Sequence, residues 1–274
     1  MIFDDTQCQL GEGPLWHPLR KQLFWFDILG KRLHTKGKHW DFDTYVSAAG
    51  WIDHDTLIVA SANALFRFDI TAEQSTHLCD LEADNAVTRS NDGRADPQGG
   101  FWIGTMGLGA ELGAGTIYRY YHGELRPLFA NLQITNSICF APSGKAAYYT
   151  DTNTQMIMSV ALDSHGWPTG APHIHIDLRG TTFRPDGAVV DKSGNLFSAQ
   201  WGDGRIAVYD PHGQFIEAFN LPAIQSSCPA FGGDTLSTLF CTTAAIGRGG
   251  PDDGQTYAID TNYTGQAEHQ VILG

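Results

Sequence analysis

Short apolar segments separated by polar turns recur along the chain, and successive pairs of segments follow one pattern. A small or polar residue leads into a short apolar strand, a turn containing Asp, Pro, Ser or Gly follows, and an aromatic-rich strand completes the pair. The six instances are Gly11–Ile28, Ala48–Ser61, Arg89–Met106, Thr135–Asp151, Arg184–Trp201 and Ser227–Thr243. They begin about 40 to 50 residues apart, which is the length of a four-stranded propeller blade.

A third strand-like segment follows each pair, and a fourth, weaker one follows that, as expected of an outer edge facing solvent. No helical period is sustained anywhere. No Gly/Ser-rich linker divides the chain. The pattern therefore predicts an all-β fold in which residues 1–274 form a single six-bladed β-propeller with four antiparallel strands per blade.

The net charge and the cysteine content indicate which binding partners and which cellular compartment to expect. Seventeen basic against thirty acidic residues give a net charge of −13, which argues against nucleic acid or an anionic membrane surface as a partner. Five widely spaced cysteines without a C-x-x-C pair make a disulfide framework or thiolate zinc site unexpected. The first residues lack a basic-then-apolar leader, and no apolar run reaches membrane-spanning length. We expect a cytoplasmic protein with free thiols.

The stretch Thr88–Met106 carries more hydrophilic groups than a strand in a packed β core needs. Its sequence, TRSNDGRADPQGGFWIGTM, predicts a turn at Asn91-Asp92-Gly93 and a second turn at Asp96–Gly100. A β-hairpin whose loops carry exposed polar side chains is the simpler interpretation. The density of Arg, Asn and Asp side chains instead indicates a strand that carries part of an active site.

Several polar residues stand at or just before the first strand of a predicted blade. In a propeller these strands line the central channel, so Glu12, Asn136 and Asp186 should converge at one mouth, together with Arg89 and Asn91. Each alone would more often be a turn or cap residue. Two carboxylates and an amide carbonyl at equivalent blade positions favour one divalent cation: Ca²⁺, Mg²⁺ or Mn²⁺, or Zn²⁺ with waters completing its shell.

Arg89, Asn91 and Glu111 are the candidate substrate-binding residues. Arg89 and Asn91 would hold hydroxyls or a carbonyl oxygen beside the cation, although a structural ion pair of Arg89 with Asp92 or Asp96 is an equally good interpretation. Glu111 lies in the glycine-spaced segment Gly107–Gly115, which suits either a mobile loop over the site or an ordinary surface loop.

At these residues the chain resembles the SMP-30/gluconolactonase/luciferin-regenerating-enzyme family. The matching pieces are LGEGPLWHP with FWFDI, RSNDGRADPQGGFWIGTM, ITNSICFAPSG with YYTD, RPDGAVVDKSGNLFSAQW, and CPAFGGDTLSTLF. The resemblance implies a six-bladed propeller that holds one divalent cation and hydrolyses sugar lactones, and the loop after Met106 is similar to the bacterial aldonolactonase branch. It also implies that Glu12, Asn136 and Asp186 are metal ligands, with Asp186 as general base.

By the same resemblance Asn91 matches a residue that contacts substrate or a metal-bound water, and Arg89 matches a substrate-binding arginine. There is one departure: many members have Asn-Gly where this chain has Asn136-Ser137. The ligand side chain is retained, so the departure concerns only the local backbone.

The function expected is therefore metal-dependent hydrolysis of a small sugar lactone, carried out by a monomer or homodimer. Two alternatives stay open. One is a propeller that binds calcium or a sugar without catalysis, and would fill every coordination position of its ion with protein. The other is a hydrolase of a non-sugar ester, which would need an aromatic-lined apolar pocket and little use of Arg89.

Overall fold

Six four-stranded antiparallel sheets form the molecule, in a computed structural model that describes all residues 1–274. Blade 1 contains β2 (Gly11–His17), β3 (Gln22–Asp27), β4 (Arg32–Thr35) and β5 (Lys38–Asp41). Blade 2 contains β6 (Val46–Trp51), β7 (Thr56–Ser61), β8 (Ala64–Asp69) and β9 (Gln74–Asp80). Blade 3 contains β10 (Thr88–Ala95), β11 (Phe101–Gly107), β12 (Gly115–Tyr121) and β13 (Glu124–Leu132). Blade 4 contains β14 (Thr135–Phe140), β15 (Ala146–Asp151), β16 (Met156–Leu162) and β17 (Pro168–Asp177). Blade 5 contains β18 (Pro185–Val190), β19 (Leu196–Gln200), β20 (Arg205–Tyr209) and β21 (Phe215–Asn220).

The sixth blade joins the two ends of the chain. It contains β22 (Ser226–Gly232), β23 (Thr238–Thr243) and β24 (Thr256–Asp260), and its outer strand is β1 (Ile2–Asp4). The predicted six-bladed propeller is confirmed, including its strand pairs. The sole helical segment is a short 3₁₀ turn at Thr152–Thr154, and no helix of the chain has the length and apolar character needed to cross a membrane.

Hydrophobic burial occurs between neighbouring blades and forms six separate clusters, one at each interface. The cluster between blades 1 and 2 is the largest, with 13 buried residues including Phe24, Phe26 and Phe68. The cluster between blades 6 and 1 is the smallest, with four buried residues including Trp25 and Phe240. The aromatic-rich second strands are buried on both faces because a neighbouring blade packs against each face.

The inner strands all carry a register irregularity near the same mouth of the channel. The pairing of first and second strands shifts between Glu12 and Leu15 in blade 1, and at the matching place in the other five blades. A bulge of this kind adds a residue to one strand and redirects its side chains. Asn91-Asp92-Gly93 lies within β10 at its bulge, between Ser90 and Gly93.

The turn predicted at Asn91-Asp92-Gly93 is therefore wrong, whereas the turn at Asp96–Gly100 does connect β10 and β11. The physical reason is that the polar side chains bond the neighbouring blade and not their own backbone. The Asp92 carboxylate accepts from the backbone N–H of Ile138 (2.7 Å), and the Asn91 amide donates to the carbonyl of Thr135 (2.9 Å).

Candidate active site

A cavity of about 410 Å³ opens at the mouth of the channel where the first strands begin. Each first strand pairs antiparallel with the second, so the end of the second strand returns to the same mouth, as in the pairs Gly11 with Asp27 and Thr135 with Asp151. The cavity is lined by Leu10, Glu12, Leu29, Tyr45, Arg89, Asn91, Met106, Leu108, Ile134, Asn136, Thr152, Asp186, Trp201 and Ile246.

Five of the six sequence-predicted site residues line this one cavity: Glu12, Arg89, Asn91, Asn136 and Asp186. All five side chains are buried, so together they form a polar floor. Although these residues are far apart in the sequence, Asn91 Nδ2 lies 3.0 Å from Asn136 Oδ1.

Glu111, the sixth, does not line the cavity. It is exposed in the loop between β11 and β12, and its carboxylate accepts a hydrogen bond from the backbone N–H of Gly109 (3.1 Å). In this conformation the side chain stabilises its own loop. Its contact with substrate stays a prediction that would require the loop to rearrange.

Two backbone positions of the floor adopt a left-handed conformation. Gly13 follows Glu12 with φ 51°, and Ser137 follows Asn136 with φ 56°. Ser137 therefore takes up a conformation that glycine adopts more easily, and its hydroxyl donates to the backbone carbonyl of Asp186 in the next blade. Ser137 is the residue that departs from the Asn-Gly pattern of the family. Its hydrogen bond connects the strand that carries Asn136 to the strand that carries Asp186.

A chain of hydrogen bonds fixes the amide orientations on the floor. Arg89 Nη1 donates to Asn91 Oδ1 (2.7 Å), so the Asn91 amide nitrogen faces Asn136 and donates to its Oδ1. Asn136 Nδ2 donates to Thr152 Oγ1 (2.9 Å). Thr152 in turn donates to the backbone carbonyl of Pro185 (2.9 Å). Because the Thr152 hydroxyl already donates its proton to Pro185, the Thr152 oxygen can only accept from Asn136 Nδ2. The carbonyl oxygen of the Asn136 side chain is therefore the atom available as a ligand.

Two carboxylates are buried on this floor without a cationic side chain paired to them. The ion pairs of the interior are Arg94–Glu268 and Arg119–Asp96, and neither includes Glu12 or Asp186. Burial raises the pKa of Glu12 to about 8, and the nearby Asp92 contributes to the rise. Burial also raises the pKa of Asp186 well above its ordinary range, with Glu12 and Asp92 adding to the rise.

This donor set fits a divalent cation. Buried like charges are costly unless a positive charge compensates them, and two carboxylates with an amide oxygen are hard donors. No group of three or more His, Cys, Asp or Glu side chains positioned to hold a metal ion occurs in the chain. A cation here would therefore depend on Asn136 as its third protein ligand.

Arg89 does not form the ion pair with Asp92 or Asp96 that the sequence left open. Its Nη1 donates to Asn91 and to the backbone carbonyl of Ser90 (2.8 Å). Asp96, which follows the far end of β10, pairs with the buried Arg119 on β12 (2.6 Å). The remaining guanidinium donors of Arg89 make no hydrogen bond within the chain and are available to a ligand.

Three polar or aromatic residues of the cavity were missed by sequence reasoning: Tyr45, Thr152 and Trp201. Tyr45 directly precedes a first strand, while Thr152 and Trp201 directly follow second strands. The available signal was the antiparallel pairing itself, since the residue after a second strand must return to the mouth where the first strand starts.

The fold and the floor together define a propeller with an oxygen-donor site at one end of its channel. A family model described as "SMP-30/Gluconolactonase/LRE-like region" matches residues 10–245, and the chain belongs to this family. The chain is 32% identical to the pentonolactonase XacC of Haloferax volcanii, over 98% of each chain. It is 31% identical to the L-arabinolactonase of Azospirillum brasilense, over 97% of this chain and 93% of the relative.

Among solved structures, a calcium-binding protein, regucalcin, from Agrobacterium tumefaciens superposes with a TM-score of 0.96 at 36% identity. The match covers 99% of this chain and 97% of that chain. The resemblance inferred from the motifs is thereby confirmed.

Proposed function

We propose that this protein hydrolyses a sugar lactone with the help of one divalent cation held by Glu12, Asn136 and Asp186. The observation that carries the proposal is the pair of buried carboxylates without an ion-pair partner, beside an oriented amide oxygen on the floor of an open cavity. Relatives named as a pentonolactonase and an L-arabinolactonase align over nearly the whole chain, which supports a sugar lactone as substrate.

Each floor residue has a role that its contacts allow. Arg89 has free guanidinium donors for the carbonyl or hydroxyl oxygens of the substrate, and Asn91 Oδ1 has a second lone pair for a substrate hydroxyl. When bound, a divalent cation would polarise the lactone carbonyl and stabilise the negative charge that develops on its oxygen. Glu111 is proposed only as a further contact after loop movement.

Asp186 is proposed as the general base as well as a ligand. Its carboxylate would accept a proton from the water that adds to the carbonyl carbon. The ring C–O bond then breaks, and the same proton passes to the departing ring oxygen, which becomes the hydroxyl of the product acid. Product ionisation at neutral pH releases one proton, and this release can be followed.

The other two functions differ in what they require of the cavity. A binding propeller that uses the ion structurally would surround it with protein, whereas here three protein donors face a cavity of about 410 Å³. The calcium-binding description of the similar Agrobacterium protein nevertheless makes binding the second candidate. A non-sugar ester would leave Arg89 without a role on the floor.

The test is proton release, measured with a pH indicator on a panel of aldonolactones. EDTA-stripped protein would be assayed before and after addition of Ca²⁺, Mg²⁺, Mn²⁺ or Zn²⁺. We expect turnover to return with metal and to be lost, together with metal binding, in Asp186→Ala. Asp234→Asn, which changes an exposed carboxylate away from the cavity, is the matched control.

Asp186→Asn separates the two roles of the residue, because the amide keeps an oxygen for the ion but cannot act as the base. We expect kcat to fall about 100-fold or more with metal still bound. Retained turnover in this variant would exclude Asp186 as the base. Tight metal binding without turnover of any lactone by the parent protein would favour the binding function.

A further inference from the structure

The cavity changes character with depth. Glu12, Asn91 and Asp186 on its floor are each 5% exposed, whereas Leu108 and Ile246 at its mouth are 50% and 45% exposed. Six of the lining residues are aliphatic: Leu10, Leu29, Met106, Leu108, Ile134 and Ile246. A ligand whose ester carbonyl lies at the polar floor must therefore place its other end among aliphatic side chains.

The aliphatic residues form two opposed groups. Leu10 and Leu29 flank the first two strands of blade 1, and Ile246 lies in the β23–β24 connection of blade 6. On the other side, Met106 and Leu108 lie at the end of the second strand of blade 3, and Ile134 links blade 3 to blade 4. Blades 1 and 4 face each other across a six-bladed ring. Tyr45 and Trp201, next to blades 2 and 5, occupy the other two sides. The mouth is thus a slot with two apolar walls.

Hydrogen bonds hold the backbone of the walls at Leu10, Ile134 and Ile246. The backbone N–H of Leu10 donates to the Asp27 carboxylate (3.0 Å), and that of Ile134 donates to the Asp151 carboxylate (3.1 Å). The two aspartates end the second strands of blades 1 and 4 and hold the two sides in the same way. Ile246 is bound through its N–H to the carbonyl of Gln9 (3.0 Å).

Hydrogen-bonding groups for substrate hydroxyls are few and lie away from these walls. Both protons of the Asn91 amide are already donated within the floor, and the Thr152 hydroxyl is bonded on both sides. The available groups are the free donors of Arg89, the second lone pair of Asn91 Oδ1 and the polar tips of Tyr45 and Trp201. A terminal hydroxyl packed against the aliphatic walls would give up part of its hydration and gain no hydrogen-bond partner from them.

We propose that the preferred substrate is a terminally deoxygenated sugar lactone, in which a methyl group replaces the terminal hydroxymethyl group and packs between the walls that carry Leu108 and Ile246. This inference rests on the proposed lactonase function. It assigns the two aliphatic walls as the specificity-determining part of the site, separate from the floor that acts on the ester.

Matched substrate pairs that differ by one oxygen atom test it. L-Fucono-γ-lactone would be compared with L-galactono-γ-lactone, and L-rhamnono-γ-lactone with L-mannono-γ-lactone, on the metal-loaded protein. We expect kcat/KM to be about tenfold higher for the deoxygenated member of at least one pair, since an apolar pocket discriminates against an added hydroxyl by one to two orders of magnitude.

Variants locate the preference. Leu108→Asn and Ile246→Asn should each bring the ratio of the two kcat/KM values toward one, by lowering kcat/KM for the methyl-bearing lactone. Leu112→Asn is the control, because Leu112 lies in the same loop as Leu108 but is 87% exposed and does not line the cavity. It should leave the ratio unchanged.

The outcomes separate the two proposals. Turnover of both members of each pair at equal kcat/KM, or faster turnover of the hydroxylated members, would overturn this inference and leave the lactonase function intact. If the metal-loaded protein hydrolyses neither these four lactones nor any other aldonolactone, the proposed function is overturned, and this inference with it. A preference for the methyl-bearing lactone that survives both wall variants would also overturn the assignment of the walls.

Discussion

The side-chain amide of Asn136 has two possible orientations, and only one of them would present its oxygen to the proposed cation. Thr152 selects that orientation, because its own proton is donated to Pro185 and its oxygen can only accept. Supporting contacts of this kind typically change metal affinity about 10- to 100-fold when removed. In the proposed cation site Thr152 would therefore act as a positioning residue, without itself touching the ion.

Thr152→Val should weaken metal binding by about 10-fold or more, measured by titration calorimetry on EDTA-stripped protein. Thr152→Ser retains the hydroxyl and should restore the affinity. Thr154→Val is the control from the same 3₁₀ turn, because the Thr154 hydroxyl bonds only the carbonyl of Asp151. Equal metal affinities for Thr152→Val and Thr152→Ser would contradict the orienting role.

Glu12 gives the metal-free protein an unusual pH dependence. Its pKa rises from 4.5 to about 8 on folding, so the folded state keeps a proton that the unfolded chain releases. The contribution to stability is present below about pH 4.5 and is lost as the pH rises toward about 8. We expect EDTA-treated protein to lose on the order of a few kcal/mol of unfolding free energy from this group across that range.

Urea denaturation at about pH 5 and about pH 8 measures this loss together with that of Asp186, whose pKa is also raised. Glu12→Gln should remove the part due to Glu12, because glutamine does not titrate. Added divalent cation should reverse the trend, since the ion binds the deprotonated carboxylate. A pH profile that is the same for the variant and the parent would show that the Glu12 carboxyl does not hold its proton in the folded state.

The bulge in each first strand is what aims the floor residues into the channel. In blade 1 this conformation depends on Gly13, whose φ is 51° and at which an added Cβ would overlap the carbonyl oxygen of Ser47 in blade 2. The inner strands of two blades approach each other here more closely than any side chain allows. The position of Glu12, one residue earlier, is thereby coupled to the packing of blade 2.

Gly13→Ala should therefore cost about 2–4 kcal/mol of stability and should reduce activity per folded molecule. Gly37→Ala is a matched control, since Gly37 also has positive φ, at 78°, but a Cβ added there would meet no heavy atom within 4 Å. That control should lose only about 1 kcal/mol and no activity. Equal losses in the two variants, measured by urea denaturation, would mean that backbone strain and not blade contact limits this position.

At the scale of the whole molecule, the two ends of the chain connect different blades of the ring. The N-terminal strand β1 completes blade 6, at the interface with the smallest hydrophobic cluster. The C-terminal segment after Thr264 crosses the opposite mouth of the channel, where Gln266 donates to the carbonyl of Val190 (2.9 Å) and Val271 to that of Trp51. It also inserts Glu268 against Arg94, which is buried in the channel.

Glu268→Ala should destabilise the protein by about 3–5 kcal/mol, because it leaves the Arg94 charge buried without its partner. Asp234→Ala, which breaks an exposed ion pair with Lys21, should give no measurable change. Thermal denaturation of the two variants beside the parent protein tests the contrast. A Glu268 variant as stable as the parent would mean that Arg94 finds other partners once the pair is lost.

The sequence by itself determined the blade repeat and most of the floor. Alternating apolar positions and turn residues act locally, so six strand pairs could be placed from the chain alone. Equivalent positions of a ring must converge on its axis, which brought Glu12, Arg89, Asn91, Asn136 and Asp186 to one mouth. The structure has them lining one cavity.

Only the tertiary structure decided the features that depend on one blade meeting another. The bond from Ile138 to Asp92, the bond from Thr152 to Pro185 that orients Asn136, and the pairing of Arg94 with Glu268 all join residues that lie far apart in the sequence. The structure also decided the place of Glu111, which bonds Gly109 in its own loop and does not line the cavity. Local pattern specifies which strands form, whereas ring closure sets how far apart their backbones lie and which polar groups meet, and no sequence period carries that information.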